Sequence, residues 1–127
     1  MATRLANEMS DIVEDVIANG ELTQQDIKFI RNHIQEEFDT DILIELLSIA
    51  QCLDYKLIHS DFQDLLTECF TFLYVINNSI SNRSAKELMN LFDPDDDISP
   101  HVREALRRLK NLKYGKEFQA FLDDNMI

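Results

Sequence analysis

The chain has 127 residues, room for one domain of ordinary size and too little for two. It carries 24 Asp and Glu against 12 Lys and Arg, a formal net charge of −12, and that excess works against a nucleic-acid or anionic-membrane binder, which needs a basic footprint. The apolar fraction of 45% is enough for a core, while two Gly and two Pro cannot supply the frequent turns of a sandwich or barrel. The expected fold is therefore all-α: a single-domain bundle over 1–127, of about six or seven helices with short connections.

The first predicted helix runs from Thr3 to Ala18. Leu5, Met9, Ile12, Val13, Val16 and Ile17 recur at three- and four-residue steps, and Glu8, Asp11, Glu14 and Asp15 hold the other faces. Asn19-Gly20 stops it, because Gly readily takes the left-handed conformation that closes a helix. Thr23 is the predicted N-cap of helix two, Gln24 to Glu37, and Asp26 sits where an acid favours a helix start. Ile27, Ile30 and Ile34 face inward. The segment Asn19-Gly20-Glu21-Leu22-Thr23-Gln24-Gln25-Asp26, between two amphipathic helices, resembles the turn of the TerB-like all-helical domains. It departs from that turn at two places: Asn19 replaces an acid before the Gly, and Asp26 replaces a Glu that opens the next helix. The resemblance covers about a quarter of the chain and implies an all-helical fold, with no activity carried over.

Asp39 or Thr40 caps a third helix, Asp41 to Asp54, which is apolar on nearly every face through Ile42, Leu43, Ile44, Leu46, Leu47, Ile49, Ala50, Cys52 and Leu53. Such a helix belongs in the middle of a bundle or in an interface. Tyr55 to His59 is a connector. Ser60 with Gln63 has capping-box spacing and opens helix four, Asp61 to Asn77. Phe62, Leu65, Leu66, Cys69, Phe70, Leu73 and Ile76 make its inward stripe, leaving Phe72, Tyr74 and Val75 outside it. Ser84 with Glu87 repeats the capping-box spacing before a short helix five, Ala85 to Leu91. After the acidic run Asp93 to Asp97, Ser99-Pro100 reads as N-cap and first helical residue of helix six. That helix extends to Lys113 and is ended by Gly115. A last helix, Lys116 to Asp123, turns Phe118, Phe121 and Leu122 inward.

Chemistry is harder to find. Cys52 and Cys69 both sit on apolar helical patterns and read as small buried hydrophobes. There is no Cys-x-x-Cys, and His33, His59 and His101 are far from the cysteines, so zinc is not expected. No nucleophile elbow, phosphate-cradling Gly-rich loop or His-Glu-x-x-His occurs, so the chain is expected to be no enzyme and to need no cofactor. Asp93, Asp95, Asp97 and Glu104 stand at positions 1, 3, 5 and 12 of a calcium-loop window. Ile98 occupies the position that needs Gly, and Pro100 one that needs a backbone donor, so the ordinary reading is an acidic turn before a capped helix. A cation-responsive module using Asp93, Asp95 and Asp97 is the alternative.

Partner binding is the leading expectation. Residues 1–82 hold fifteen acidic and four basic side chains, and residues 83–127 hold nine against eight. The candidate contacts are the surplus apolar residues Phe72, Tyr74 and Val75, the acids Glu8, Asp11, Asp15, Glu36 and Glu37, and Arg107 and Arg108 on the basic helix six. The expected function is a small acidic regulator, adaptor or inhibitor that binds a protein, with a basic partner favoured by charge. A sharper version has it occupy the nucleic-acid-binding groove of a basic partner. A homodimer through helices three and four is another use of the same apolar surface. Direct contact with nucleic acid or membrane is not expected. Met1 to Ser10 shows no secretory pattern, and the apolar stretches fall well short of the roughly 18 residues of a membrane span, so a cytoplasmic protein is expected.

Overall fold

Helix periodicity dominates the architecture. The computed structural model of the chain describes residues 4–34 and 38–127, with side chains from residue 8 onward in the first stretch. Among the described residues there are seven α-helices: α1 Arg4–Asn19, α2 Gln24–Ile34, α3 Thr40–Cys52, α4 Asp61–Tyr74, α5 Asn82–Met89, α6 Pro100–Arg108 and α7 Lys116–Asp124. Short 3₁₀ turns lie at Tyr55–Leu57 and Leu109–Asn111, and the only β-type pairings in the described residues are isolated bridges. The all-α class expected from composition and periodicity is the one observed. The chain packs as two compact units, Met1–Leu65 and Leu66–Ile127, divided within α4.

In the first unit α1 packs on α3, with a smaller contact to α2. Met9, Val13 and Val16 of α1 are buried, as are Ile42, Leu43, Leu46, Leu47, Ile49 and Ala50 of α3. Gly20 ends α1 at φ +82, and its N–H donates to the carbonyls of Val16 and Ile17, both at 3.1 Å. The cap of α2 is reciprocal. The Asp26 N–H donates to Thr23 Oγ1 at 3.1 Å, and the Thr23 N–H and hydroxyl donate to Asp26 Oδ2 at 3.0 and 2.9 Å. Asp39, not Thr40, caps α3, accepting from the Ile42 N–H at 3.0 Å. The connector after α3 is pinned rather than loose. Leu22 donates to the Leu57 carbonyl at 2.8 Å, and His59 donates back to the Leu22 carbonyl at 2.9 Å.

The second unit departs from the sequence reading at three helix ends. Helix four stops at Tyr74 because Asn77 and Asn78 both take positive φ, 51 and 61, in a tight reversal. Ile76 and Ser79 exchange both backbone hydrogen bonds across it at 3.0 Å, the arrangement of a two-residue hairpin turn. Helix five starts three residues early: Ser81 is its N-cap, accepting from the Ser84 N–H at 3.1 Å, so Ser84 lies inside the helix. Helix six tightens into its 3₁₀ turn after Arg108, and Gly115 is the N-cap of α7. Further corrections concern single residues: Cys69 is buried but Cys52, in the last turn of α3, is exposed.

In this unit α5 packs on α7. Ala85 and Leu88 of α5, and Phe118 and Leu122 of α7, are buried. The chain beyond α7 is held by α6 and the 3₁₀ turn after it: the Arg103 guanidinium donates to the carbonyls of Asn125 and Met126, and Lys110 Nζ donates to the Ile127 carbonyl at 3.2 Å. Thr23→Ala removes the side-chain acceptor and half of the α2 cap, and should lower unfolding stability by about 1 kcal/mol, measured by urea denaturation.

Candidate functional site

The aromatic end of α4 does not form the patch that its composition suggests. Phe62, Leu66, Phe70 and Tyr74 are spaced by four residues and share one buried stripe, so Tyr74 is 3% exposed and belongs to the core. Phe72 lies on the opposite side at 71% exposure. Val75 is half-buried. Ile76, expected inward, is 74% exposed because the chain has already left the helix. The exposed apolar pair is thus Phe72 and Ile76, without Tyr74.

The acidic candidates divide as well. Asp11 and Asp15 are exposed on α1, together with Glu14. Glu8 is half-buried, and its carboxylate lies 3.0 Å from Nε2 of His33, whose ring stacks on Phe29. Glu36 and Glu37 lie outside the described residues. On α6, Arg107 pairs with Glu104 at 2.9 Å and Arg108 approaches the same carboxylate at 3.8 Å. The basic helix is therefore engaged by its own chain: Arg103 and Lys110 on carbonyls, Arg107 and Arg108 on Glu104. In the acidic run, Asp93 Oδ1 accepts from the Asp95 N–H at 2.9 Å, which closes the turn on itself. No group of three or more His, Cys, Asp or Glu among the described residues is placed to hold a metal ion. None of the described helices is long and apolar enough to cross a membrane.

The feature that sequence reading missed is a cleft of about 850 Å³ in the second unit. Two stretches frame it: Met89 to Pro94, at the end of α5, and Phe121 to Asn125, at the end of α7. Ile98 contributes from the loop before α6. Its apolar wall is built around Phe92 and Phe121, half-buried rings whose centroids are 5.9 Å apart. Behind them Phe118 stacks on Phe121 at 6.0 Å and is fully buried. Asp93 and Asp124 stand exposed in the lining, one on each framing stretch, and among the described residues no Lys or Arg lines the cleft. Ring surface of this kind, open to solvent and flanked by polar groups, is suited to accepting an apolar side chain from another molecule.

The chain matches no known protein family, and no curated protein or solved structure matches it either. The resemblance to TerB-like domains rests on the Asn19 to Asp26 turn alone. The burial pattern of α4 makes a direct prediction. Tyr74→Ala should cost about 3 kcal/mol or more of stability, as loss of a buried aromatic does, whereas Phe72→Ala should stay within about 0.5 kcal/mol, both read from urea midpoints.

Proposed function

We propose that the chain is a small acidic protein-interaction module whose contact surface is the Phe92–Phe121 cleft. The observation that carries the reading is the cleft itself: two half-exposed rings, one of them stacked on a fully buried third. A ring backed by packed neighbours loses little freedom when it accepts a partner, so more of the contact energy remains as affinity. Apolar anchors seated in such recesses dominate protein interfaces, and surrounding contacts chiefly exclude water. The exposed acids of α1, including Asp11 and Asp15, add a long-range negative field that raises encounter rates without supplying the anchor.

The cleft is favoured over the Phe72 and Ile76 surface because it is concave and has a braced floor. A random-peptide display selection against the chain tests the proposal, with Phe92→Ala and Phe121→Ala as counter-targets. Enriched peptides should share one large apolar residue and lose at least about ten-fold in affinity on either variant, the scale of a truncated interface anchor. Binders indifferent to both variants would overturn the assignment.

A further inference from the structure

We infer that the segment held in this cleft is cationic: one large apolar side chain flanked by Arg or Lys, presented by another protein. The inference rests on the cleft being the contact surface and adds the chemistry of what it takes. Three observations agree on the sign. Asp93 and Asp124 place a carboxylate on each of the two stretches that frame the cleft, and no cation among the described residues lines it. Asp95, Asp96 and Asp97 continue the negative charge along the adjoining loop. The third is helical. Both α5 and α7 end at the cleft: Met89, the last residue of α5, and Asp124, the last of α7, are both in its lining. Helix C-termini carry partial negative charge, although most of the last carbonyls here already accept from the chain's own N–H groups: Leu88 from Leu91, Met89 from Phe92, Phe121 from Asn125, Leu122 from Ile127 and Asp123 from Met126.

The last turn of α7 bears Asp123 and Asp124 and no base, against the usual preference for cations there. Two cations reach the segment beyond α7 without lining the cleft, Arg103 of α6 on the carbonyls of Asn125 and Met126 and Lys110 of the 3₁₀ turn on that of Ile127, and they offset part of the acidic charge there. Neither forms an ion pair with Asp93 or Asp124 among the described residues. The lining itself, with Asp93 and Asp124 beside apolar side chains, is negative and complementary to an apolar anchor between basic residues. A second copy of the chain fits poorly, since each copy carries a net charge of −12.

The test is fluorescence anisotropy with a labelled Gly-Arg-Arg-Phe-Arg-Arg-Gly peptide. The comparison peptides replace all Arg by Gln, or Phe by Ala, and argininamide serves as a small-cation competitor. The double variant Asp93→Asn with Asp124→Asn keeps side-chain shape, and the amide introduced at position 93 retains an oxygen for the Asp95 N–H. It should weaken the Arg–Phe peptide by about ten-fold, the scale of two partly exposed ion pairs. Asp11→Asn with Asp15→Asn on α1 removes the same formal charge from residues that do not line the cleft, and should change it by less than about two-fold, because exposed charges outside the contact are screened by salt. Equal losses from the two double variants would mean diffuse attraction and overturn the inference. So would argininamide competing as well as the peptide, because the site would then take a free cation. If the Gln peptide binds as tightly as the Arg peptide and Phe121→Ala abolishes both, the cleft stands and the cationic assignment fails. If neither peptide responds to Phe121→Ala, both readings fail.

Discussion

The seating of α7 on α5 is the contact on which the second unit's surface depends. Phe118 and Leu122, four residues apart, are fully buried and fix the rotation of α7 about its own axis. With about 3.6 residues per turn, that choice leaves Phe121 on the flank of the buried stripe and Asp123 and Asp124 exposed. The same applies across the contact, where burial of Ala85 and Leu88 in α5 leaves Met89 half-buried near the cleft. The cleft is what remains between two short helices whose core stripes are satisfied but whose ends are not covered. Arg103 completes it by holding the backbone at Asn125 and Met126, where Met126 takes a positive φ of 58.

Charge is organised around this packing. The Arg residues of α6 lie close to acids or carbonyls of their own chain: Arg103 on carbonyls, Arg107 and Arg108 on Glu104. The acids are arranged differently. Asp26 and Asp39 cap helices, whereas Asp11, Asp15, Asp93 and Asp124 are exposed, Asp93 also accepting from the Asp95 N–H. Exposed charges of this kind contribute little to stability individually, and their effect is on solubility and on the rate and selectivity of encounter. A structural role accounts for the first set and leaves the second available for a partner.

Most of the fold was legible because amphipathic periodicity and capping chemistry are local. Thr23 with Asp26, Gly20 at its positive φ, and the Ser99-Pro100 start of α6 each follow from neighbouring residues. The misplaced ends have local causes too. Asn77-Asn78 is a two-residue turn signal, and it overrides the helical period that would carry Ile76 inward. Ser81 and Ser84 carry the same capping side chain, and the structure uses Ser81, whose hydroxyl accepts from the Ser84 N–H. The cleft could not be read in this way. Its two framing stretches are separated by α6 and most of α7, and Phe92 and Phe121 look individually like ordinary core residues. Their half-burial depends on a helix pairing that no local pattern specifies.

Amide chemical-shift mapping tests the central claim most directly, with isotope-labelled protein titrated by the Gly-Arg-Arg-Phe-Arg-Arg-Gly peptide. The account predicts that the largest saturable shifts fall on Met89 to Ile98, excepting Pro94, and on Phe121 to Asn125. Shifts concentrated on α1, or on Phe72 to Ile76, with the cleft residues unmoved, would contradict it.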